Sequence, residues 1–106
     1  NKVEDYGIGF YTKYGDGGVD IAPIADLYKT EVRELGVHLG VSPNIINAKP
    51  TDGLWDDGRS DEDQIGATYT QLEEAMESGT GDAVDILSRF NRQNSHKMQP
   101  IPTFKL

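Results

Sequence analysis

The sequence predicts the mostly helical portion of an α/β domain. Amphipathic segments with a single apolar stripe recur along the chain, whereas stretches that could form a strand are few and short. A helix with one apolar stripe must bury it against another layer, which in α/β domains is a parallel sheet of strands rich in valine and isoleucine. Because this chain has little such sequence, we expect it to be a fragment of one domain whose main strands precede Asn1.

Two strand candidates flank a glycine-rich loop. Ile8–Tyr11 and Val19–Ile21 are the only apolar stretches of suitable length. Between them lie Gly15, Gly17 and Gly18, which allow positive φ and close approach of the backbone to a ligand. A tight turn between two strands needs glycine just as much, so the glycines alone fit a structural role equally well.

The first predicted helix runs from Pro23 to about Leu39. Proline suits a first turn because its missing N–H would be unpaired there. Apolar side chains recur every three or four residues and predict one buried stripe, which consists of Ile24, Leu27, Tyr28, Val32, Leu35 and Leu39. Gly40 then ends the helix.

A short helix and a long loop follow. Ser42 and Pro43 open a helical turn that continues to Ile46. Residues 52–63 predict an acidic loop. This loop does not fit an EF-hand calcium site, because Leu54 and Arg59 occupy positions that need oxygen ligands.

Two further helices are predicted before an irregular tail. Residues 70–73 fit a capping box that begins a helix ending near Gly79. Asp82 can cap a last helix, in which Val84, Leu87 and Phe90 share one face. The tail from His96 onward contains two prolines and is expected to be irregular.

Composition excludes several classes of function. The net charge of −8 over 106 residues disfavours binding to nucleic acid or to anionic membranes. The absence of cysteine excludes disulfide scaffolds, thiolate catalysis and cysteine-bound zinc. No apolar run is long enough to span a bilayer and no signal peptide is recognisable, so we expect a soluble, cytoplasmic protein.

Carboxylates and lysines cluster near the start of the chain. Glu4, Asp16 and Asp20 offer the oxygen ligands that Mg²⁺ prefers. Lys13 and Lys29 lie near them and could neutralise phosphate oxygens. Each of these side chains, taken alone, is more often a solvated surface group, so the residues by themselves leave both interpretations open.

Three segments resemble the C-terminal half of NAD synthetases, namely NKVEDYGIGFYTKYGDGGVDIAPIADLYKTEV, KPTDGLWDDGRSDEDQIGATY and HKMQPIP. The resemblance implies a doubly wound parallel-sheet domain of the ATP-pyrophosphatase, or adenine nucleotide alpha hydrolase-like, type. Residues 1–106 would form the C-terminal part of that single domain. The family works as a homodimer, and its Ser-Gly-Gly-x-Asp-Ser phosphate loop does not occur here, so this chain alone is expected to be inactive.

The resemblance also implies a reaction. ATP adenylates the nicotinate carboxylate of deamido-NAD, pyrophosphate leaves, and ammonia attacks the acyl adenylate to give NAD and AMP. Such a reaction needs Mg²⁺ and lysines rather than a protein nucleophile, because negative charge builds on the departing pyrophosphate. The alternative is a non-catalytic nucleotide-binding or interaction fragment.

Matching the family's motifs to this sequence implies roles for individual residues. The resemblance implies that Glu4 binds Mg²⁺ and that Lys29 is catalytic. Asp16 lies in the glycine loop, and we expect it near Mg²⁺ or near the nicotinate end, as a second metal ligand and catalytic residue. The resemblance also implies that Lys29 and Thr51 contact ATP, and that deamido-NAD is contacted by Lys13, Asp20, His96 and Lys97. Met98 departs from the family, which often has arginine after the His-Lys pair.

Overall fold

The computed structural model describes residues 1–106. They form helices and loops, and none of them forms a strand. A π-helix, Val3–Ile8, comes first. The α-helices are α1 (Lys29–His38), α2 (Pro43–Ile46), α3 (Asp61–Ile65), α4 (Tyr69–Ser78) and α5 (Val84–Asn94), and a 3-10 turn, Ser95–Lys97, follows α5. None of these helices has the length and apolar character needed to cross a membrane.

Both strand predictions are wrong. Ile8 is the last residue of the π-helix, which Gly9 ends with a left-handed φ of 65°. A side chain at Gly9 would be strained at that φ, and its Cβ would lie 2.5 Å from the Cβ of Asn94. The second candidate, Val19–Ile21, is irregular and exposed, because no neighbouring strand pairs with its backbone.

Helix α1 begins at Lys29, six residues after the predicted start at Pro23. Residues 23–26 form turns instead, and Leu27 donates its N–H to the carbonyl of Ile24 at 3.1 Å. The predicted buried stripe is also wrong, since no residue of α1 is buried and Leu39 is 68% exposed. A stripe is buried only where another element covers it. The stop at Gly40, with a φ of 75°, is confirmed.

Helices α2 and α3 occupy the region between α1 and α4. The predicted short helix to Ile46 is confirmed. The predicted acidic loop ends earlier than expected, because α3 begins at Asp61. A reciprocal cap explains this start: the Ser60 hydroxyl accepts the Asp63 N–H at 3.1 Å, and the Asp63 carboxylate accepts the Ser60 N–H at 2.9 Å.

The two C-terminal helices are in the predicted places but with other caps. Thr68 and Gln71 form the capping box of α4, two residues before the predicted pair, and Gly79 ends the helix as predicted. Helix α5 has Ala83 at its N-cap and no side-chain cap, so the role predicted for Asp82 is wrong. The capping boxes of α3 and α4 give hydrogen-bond partners to N–H groups in the first turn of each helix, so each helix begins at its box.

A small core forms where the π-helix, α3, α4 and α5 meet. Its buried apolar residues are Val3, Ile8, Ile65, Ala67, Tyr69, Leu72, Ala75 and Ala83. The predicted face of α5 is confirmed, because Val84, Leu87 and Phe90 pack against this core. The side-chain amide of Asn94 donates to the Ile8 carbonyl at 2.9 Å and so fixes α5 to the end of the π-helix.

Glu73 of α4 caps the start of α1. Its carboxylate accepts the backbone N–H of Thr30 at 3.1 Å and the Thr30 hydroxyl at 2.7 Å, and the residue is only 9% exposed. A carboxylate at a helix N-terminus also interacts favourably with the helix dipole. This long-range cap attaches α1 to the core.

Replacing Glu73 with alanine should lower the free energy of unfolding by about 1–2 kcal/mol, because two N-terminal groups of α1 lose their acceptor. Urea unfolding of the intact polypeptide measures the change. Glu74→Ala is the matched control, since its side chain is exposed on the same helix. Equal effects of the two substitutions would contradict the capping role.

Candidate active site

Three elements bring Glu4, Lys29 and Tyr69 into contact. The Lys29 Nζ lies 3.3 Å from the Glu4 Oε1, and the Tyr69 hydroxyl donates to the same oxygen. The ammonium also lies 5.0 Å from the centre of the Tyr69 ring. The side chains of Lys29 and Glu4 are 22% and 20% exposed, so this is a largely desolvated ion pair fixed by helices on both sides.

The Tyr69 hydroxyl stays protonated in this environment. Burial raises the pKa of Tyr69, and its hydrogen bond to Glu4 and the nearby carboxylate charges raise it further. A protonated phenol can only orient Glu4 by donating to it. The hydrogen bonds of Glu4 use Oε1, and Oε2 makes none.

Glu4 faces a cleft of about 640 Å³. The charged groups of its wall are five carboxylates and one ammonium, which belong to Glu4, Asp5, Asp16, Asp52, Asp61 and Lys97. Such a wall concentrates cations, since its negative charge is only partly compensated. Thr51 also lines this cleft.

Asp61 is the most buried carboxylate of the cleft wall, with an exposure of 8%. Burial, followed by the charge of Glu4, raises the pKa of Asp61, while Lys29 lowers it. Its Oδ1 has no hydrogen-bond partner. A buried carboxylate oxygen without a partner is uncommon in folded proteins and asks for an explanation.

A second groove of about 420 Å³ lies between α1 and α2. Lys29 and Thr51, which lie far apart in the sequence, both line it. Its apolar surface comes from Val32, Val41, Ile45 and Ile46, and its other cations are Arg33 and Lys49. Apolar walls with a few placed cations suit a ligand that has both a flat ring and phosphates.

The glycine loop folds back on itself beside the cleft. The Asp16 carboxylate accepts the Thr12 N–H at 3.1 Å, and the Gly17 N–H donates to the Thr12 carbonyl at 3.1 Å. A Cβ at Gly17 would lie 2.5 Å from the Lys13 carbonyl oxygen. The loop therefore needs glycine for its own close backbone contact.

The tail binds the same loop. Lys13 Nζ lies 3.1 Å from His96 Nδ1, which must accept because an ammonium can only donate. Lys97 Nζ donates to the carbonyls of Gly9 and Tyr11 at 2.8 Å each, and the Tyr11 hydroxyl donates to the Lys97 carbonyl at 2.8 Å. Burial lowers the pKa of Lys97.

Most of the predicted site residues come together. Glu4 contacts Lys29, Lys13 contacts His96, and Asp16, Thr51 and Lys97 share the cleft with Glu4. Asp20 is the exception, because it is exposed, makes no side-chain hydrogen bond and lies outside the cleft wall. No three acidic or histidine side chains gather closely enough to hold a metal by themselves.

Sequence reasoning missed Asp61 and Tyr69. Asp61 follows Ser60, and the Ser60-to-Asp63 spacing was the available signal for a helix start that would aim Asp61 inward. For Tyr69 the signal was a tyrosine at the start of an apolar stripe, which periodicity alone assigns to the core. Its hydroxyl could be placed only with the fold.

The chain matches one protein family and many curated relatives. The NAD synthase family profile matches residues 1–101. An NH(3)-dependent NAD(+) synthetase of Methanococcoides burtonii is 53% identical over 70 residues, which are 66% of this chain and 26% of that protein. One of Alkaliphilus oremlandii is 40% identical over 108 residues, covering 100% of this chain and 42% of that protein.

A solved structure agrees with the sequence relatives. The NMN synthetase of Francisella tularensis superposes on 100% of this chain and 44% of its own, with a TM-score of 0.84 and 37% identity. The chain spans 26% and 42% of the length of the two curated relatives. Because the family profile covers nearly the whole chain, this chain belongs to the NAD synthase family.

Proposed function

We propose that the chain is part of an ammonia-dependent NAD synthetase, an ATP-dependent ligase that amidates deamido-NAD through an acyl adenylate. Residues 1–106 would be the C-terminal part of a single doubly wound parallel-sheet domain of the ATP-pyrophosphatase type. We assign the activity to the intact polypeptide, because this chain spans less than half of its relatives. A cytoplasmic homodimer belongs to the same proposal.

The position of Lys29 is the observation that carries the proposal. Its ammonium pairs with Glu4 of the cleft wall, and it also lines the groove between α1 and α2 together with Thr51. ATP with its base in the groove and its phosphates toward the cleft would place Lys29 beside the phosphates. A lysine in that place stabilises charge that builds on pyrophosphate as it departs.

The acidic cleft fits a divalent cation. Glu4 keeps one oxygen free of hydrogen bonds, and the wall has an excess of carboxylates over ammonium groups. Mg²⁺ usually takes one or two carboxylates together with phosphates and waters, so a group of three protein ligands is not needed. We propose that Glu4 and Asp16 hold it, where it would neutralise phosphate charge.

The reaction then needs no protein nucleophile. The nicotinate carboxylate attacks the α-phosphorus of ATP while the bond to pyrophosphate breaks. Ammonia attacks the resulting acyl adenylate, loses a proton, and expels AMP. In this proposal Asp16 stands at the nicotinate end, and the deamido-NAD contacts are Lys13, Asp20, His96 and Lys97. Lys13 and His96 are already paired in the free structure, which supports a shared role.

A second candidate comes from the solved relative. Because the Francisella tularensis protein is named an NMN synthetase, the same chemistry on a mononucleotide is an alternative for this chain. The two candidates differ in the acceptor, which is deamido-NAD in one and nicotinate mononucleotide in the other. A non-catalytic nucleotide-binding module is the third possibility.

One assay separates these candidates. The intact polypeptide is incubated with Mg-ATP, ammonia and either acceptor, and NAD or NMN is quantified by liquid chromatography. We expect NAD to form from deamido-NAD at a much higher kcat/KM than NMN forms from nicotinate mononucleotide. The reverse preference would favour an NMN synthetase, and no amide product from either acceptor would indicate a binding module.

A further inference from the structure

Tyr69 is the first residue of α4, and two interactions fix its backbone. The Glu62 carboxylate accepts its N–H at 2.8 Å, and the capping box of Thr68 and Gln71 sets the start of the helix around it. The residue is buried in the core, with an exposure of only 2%. The phenol ring is therefore held in one place.

The hydroxyl of Tyr69 interacts with two carboxylates. It donates to Glu4 Oε1, which belongs to the π-helix. Burial raises the pKa of Asp61 in α3, and a hydrogen bond from the Tyr69 side chain opposes that rise. One phenol thus connects acidic groups from two different elements. A buried tyrosine hydroxyl normally has such a partner, and the partner restricts how the ring can turn.

The ring of Tyr69 contacts the Lys29 ammonium. The ammonium lies 5.0 Å from the ring centre and 3.3 Å from Glu4 Oε1, the oxygen that also accepts the Tyr69 hydroxyl. A lysine has a flexible four-carbon stem, so its ammonium keeps one position only where several contacts restrict it. Tyr69 contributes to both contacts, first through its ring and then through the carboxylate that it orients.

Packing alone does not explain why a tyrosine stands here. The other α4 residues of the buried core are Leu72 and Ala75, which have neither a hydroxyl nor an aromatic face. A leucine at this position could fill apolar space, but only an aromatic face attracts a cation, and a phenol can also donate. The chemistry of Tyr69 therefore matches the ammonium and the carboxylate beside it.

We propose that Tyr69 is a positioning residue for Lys29, whose ammonium it holds between Glu4 of the cleft wall and the groove that contains Thr51. Tyr69 lines neither the cleft nor the groove, so it acts on a ligand only through its neighbours. Only the effect of this positioning on the reaction rate rests on the proposed function.

A double-mutant cycle of Tyr69→Leu and Lys29→Ala in the intact polypeptide tests this role. We expect Tyr69→Leu to lower kcat for pyrophosphate release by about tenfold and to change KM for ATP by less than about twofold, because a displaced ammonium stabilises the departing charge less well. In the Lys29→Ala background the same substitution should lower kcat by less than about twofold. Tyr69→Phe keeps the ring and should lose less than Tyr69→Leu.

Phe90→Leu is the matched control for the cycle. It removes a ring that packs on the same core but lines neither the cleft nor the groove. Its effect on kcat should be equal within about twofold with and without the Lys29 ammonium, since residues that share no contacts act additively. Additive effects of Tyr69→Leu and Lys29→Ala would overturn the proposal.

A measurement without nucleotide separates the positioning of Lys29 from the proposed function. In nuclear magnetic resonance spectra of the unchanged intact polypeptide, the ε-methylene protons of Lys29 should lie upfield of those of the exposed Lys105, because the Tyr69 ring current shields them. The shielding should persist in Tyr69→Phe and disappear in a folded Tyr69→Leu variant.

Two outcomes of this measurement decide the proposal. Equal shifts of the Lys29 and Lys105 protons in the unchanged protein would overturn it, whether or not any variant folds. Shielded Lys29 protons in a polypeptide that forms no NAD would support the positioning of Lys29 and reject the proposed function.

Discussion

Replacing Lys29 with alanine should lower deamido-NAD-dependent pyrophosphate release by the intact polypeptide by about 10²–10³-fold, which is typical of losing one charge-stabilising donor. The ammonium lies between Glu4 and the groove that also contains Thr51, so its loss removes positive charge from the place proposed for the phosphates. Pyrophosphate release is followed continuously with a coupled phosphate assay.

Lys105→Ala is the matched control for this prediction. It removes the same charge from an exposed residue of the tail and should leave the rate within about twofold. Circular dichroism and urea unfolding establish that both variants are folded. A folded Lys29→Ala variant with an unchanged rate would remove Lys29 from the reaction.

Replacing Leu72 with alanine should lower the free energy of unfolding by about 2–5 kcal/mol. Leu72 is completely buried in α4, at the centre of the small core. The substitution removes apolar contact and leaves a cavity, and the surrounding helices are too constrained to close it fully. Urea unfolding of the intact polypeptide, compared at a constant m-value, measures the loss.

Leu106→Ala tests whether burial is the cause. The same atoms are removed from a fully exposed tail residue, so the change should stay within about 0.5 kcal/mol. If both substitutions had equal effects, Leu72 could not be a core residue. Because Leu72 does not line the cleft, its variant should lose activity only as the folded fraction falls.

Local patterns correctly predicted two helix ends and one helix face, although the predicted caps of α4 and α5 were wrong. Gly40 and Gly79 end helices through their positive φ, and the α5 face of Val84, Leu87 and Phe90 lies on the core. These features depend on residues within a few positions of each other. They could therefore be predicted from the sequence.

Features that depend on distant partners could not be predicted. The start of α1 is capped by Glu31 and by Glu73, which lies 43 residues from Thr30, and it does not lie at Pro23. The stripe of α1 is only partly covered by α2 and α4, so Leu35 and Leu39 stay exposed, and periodicity does not reveal what lies across a stripe. The same limit applies to Asp61, whose burial depends on how α3 meets the π-helix.

The candidate site was predictable in part. The family resemblance predicted Glu4 and Lys29 as site residues, and the structure brings these two side chains into contact. It assigned Lys97 to deamido-NAD, whereas the free structure uses its ammonium on two backbone carbonyls. A motif identifies a residue but not the competing partners that the fold provides.

The reciprocal bonds between Lys97 and the segment from Gly9 to Tyr11 have a consequence for the order of folding. They join positions up to 88 residues apart, so the wall of the cleft cannot be completed until residue 97 has left the ribosome. Closing so long a loop costs chain entropy before its contacts form, which slows folding. During synthesis the glycine loop therefore stays open and accessible to proteases, and the cleft is among the last parts of the chain to be assembled.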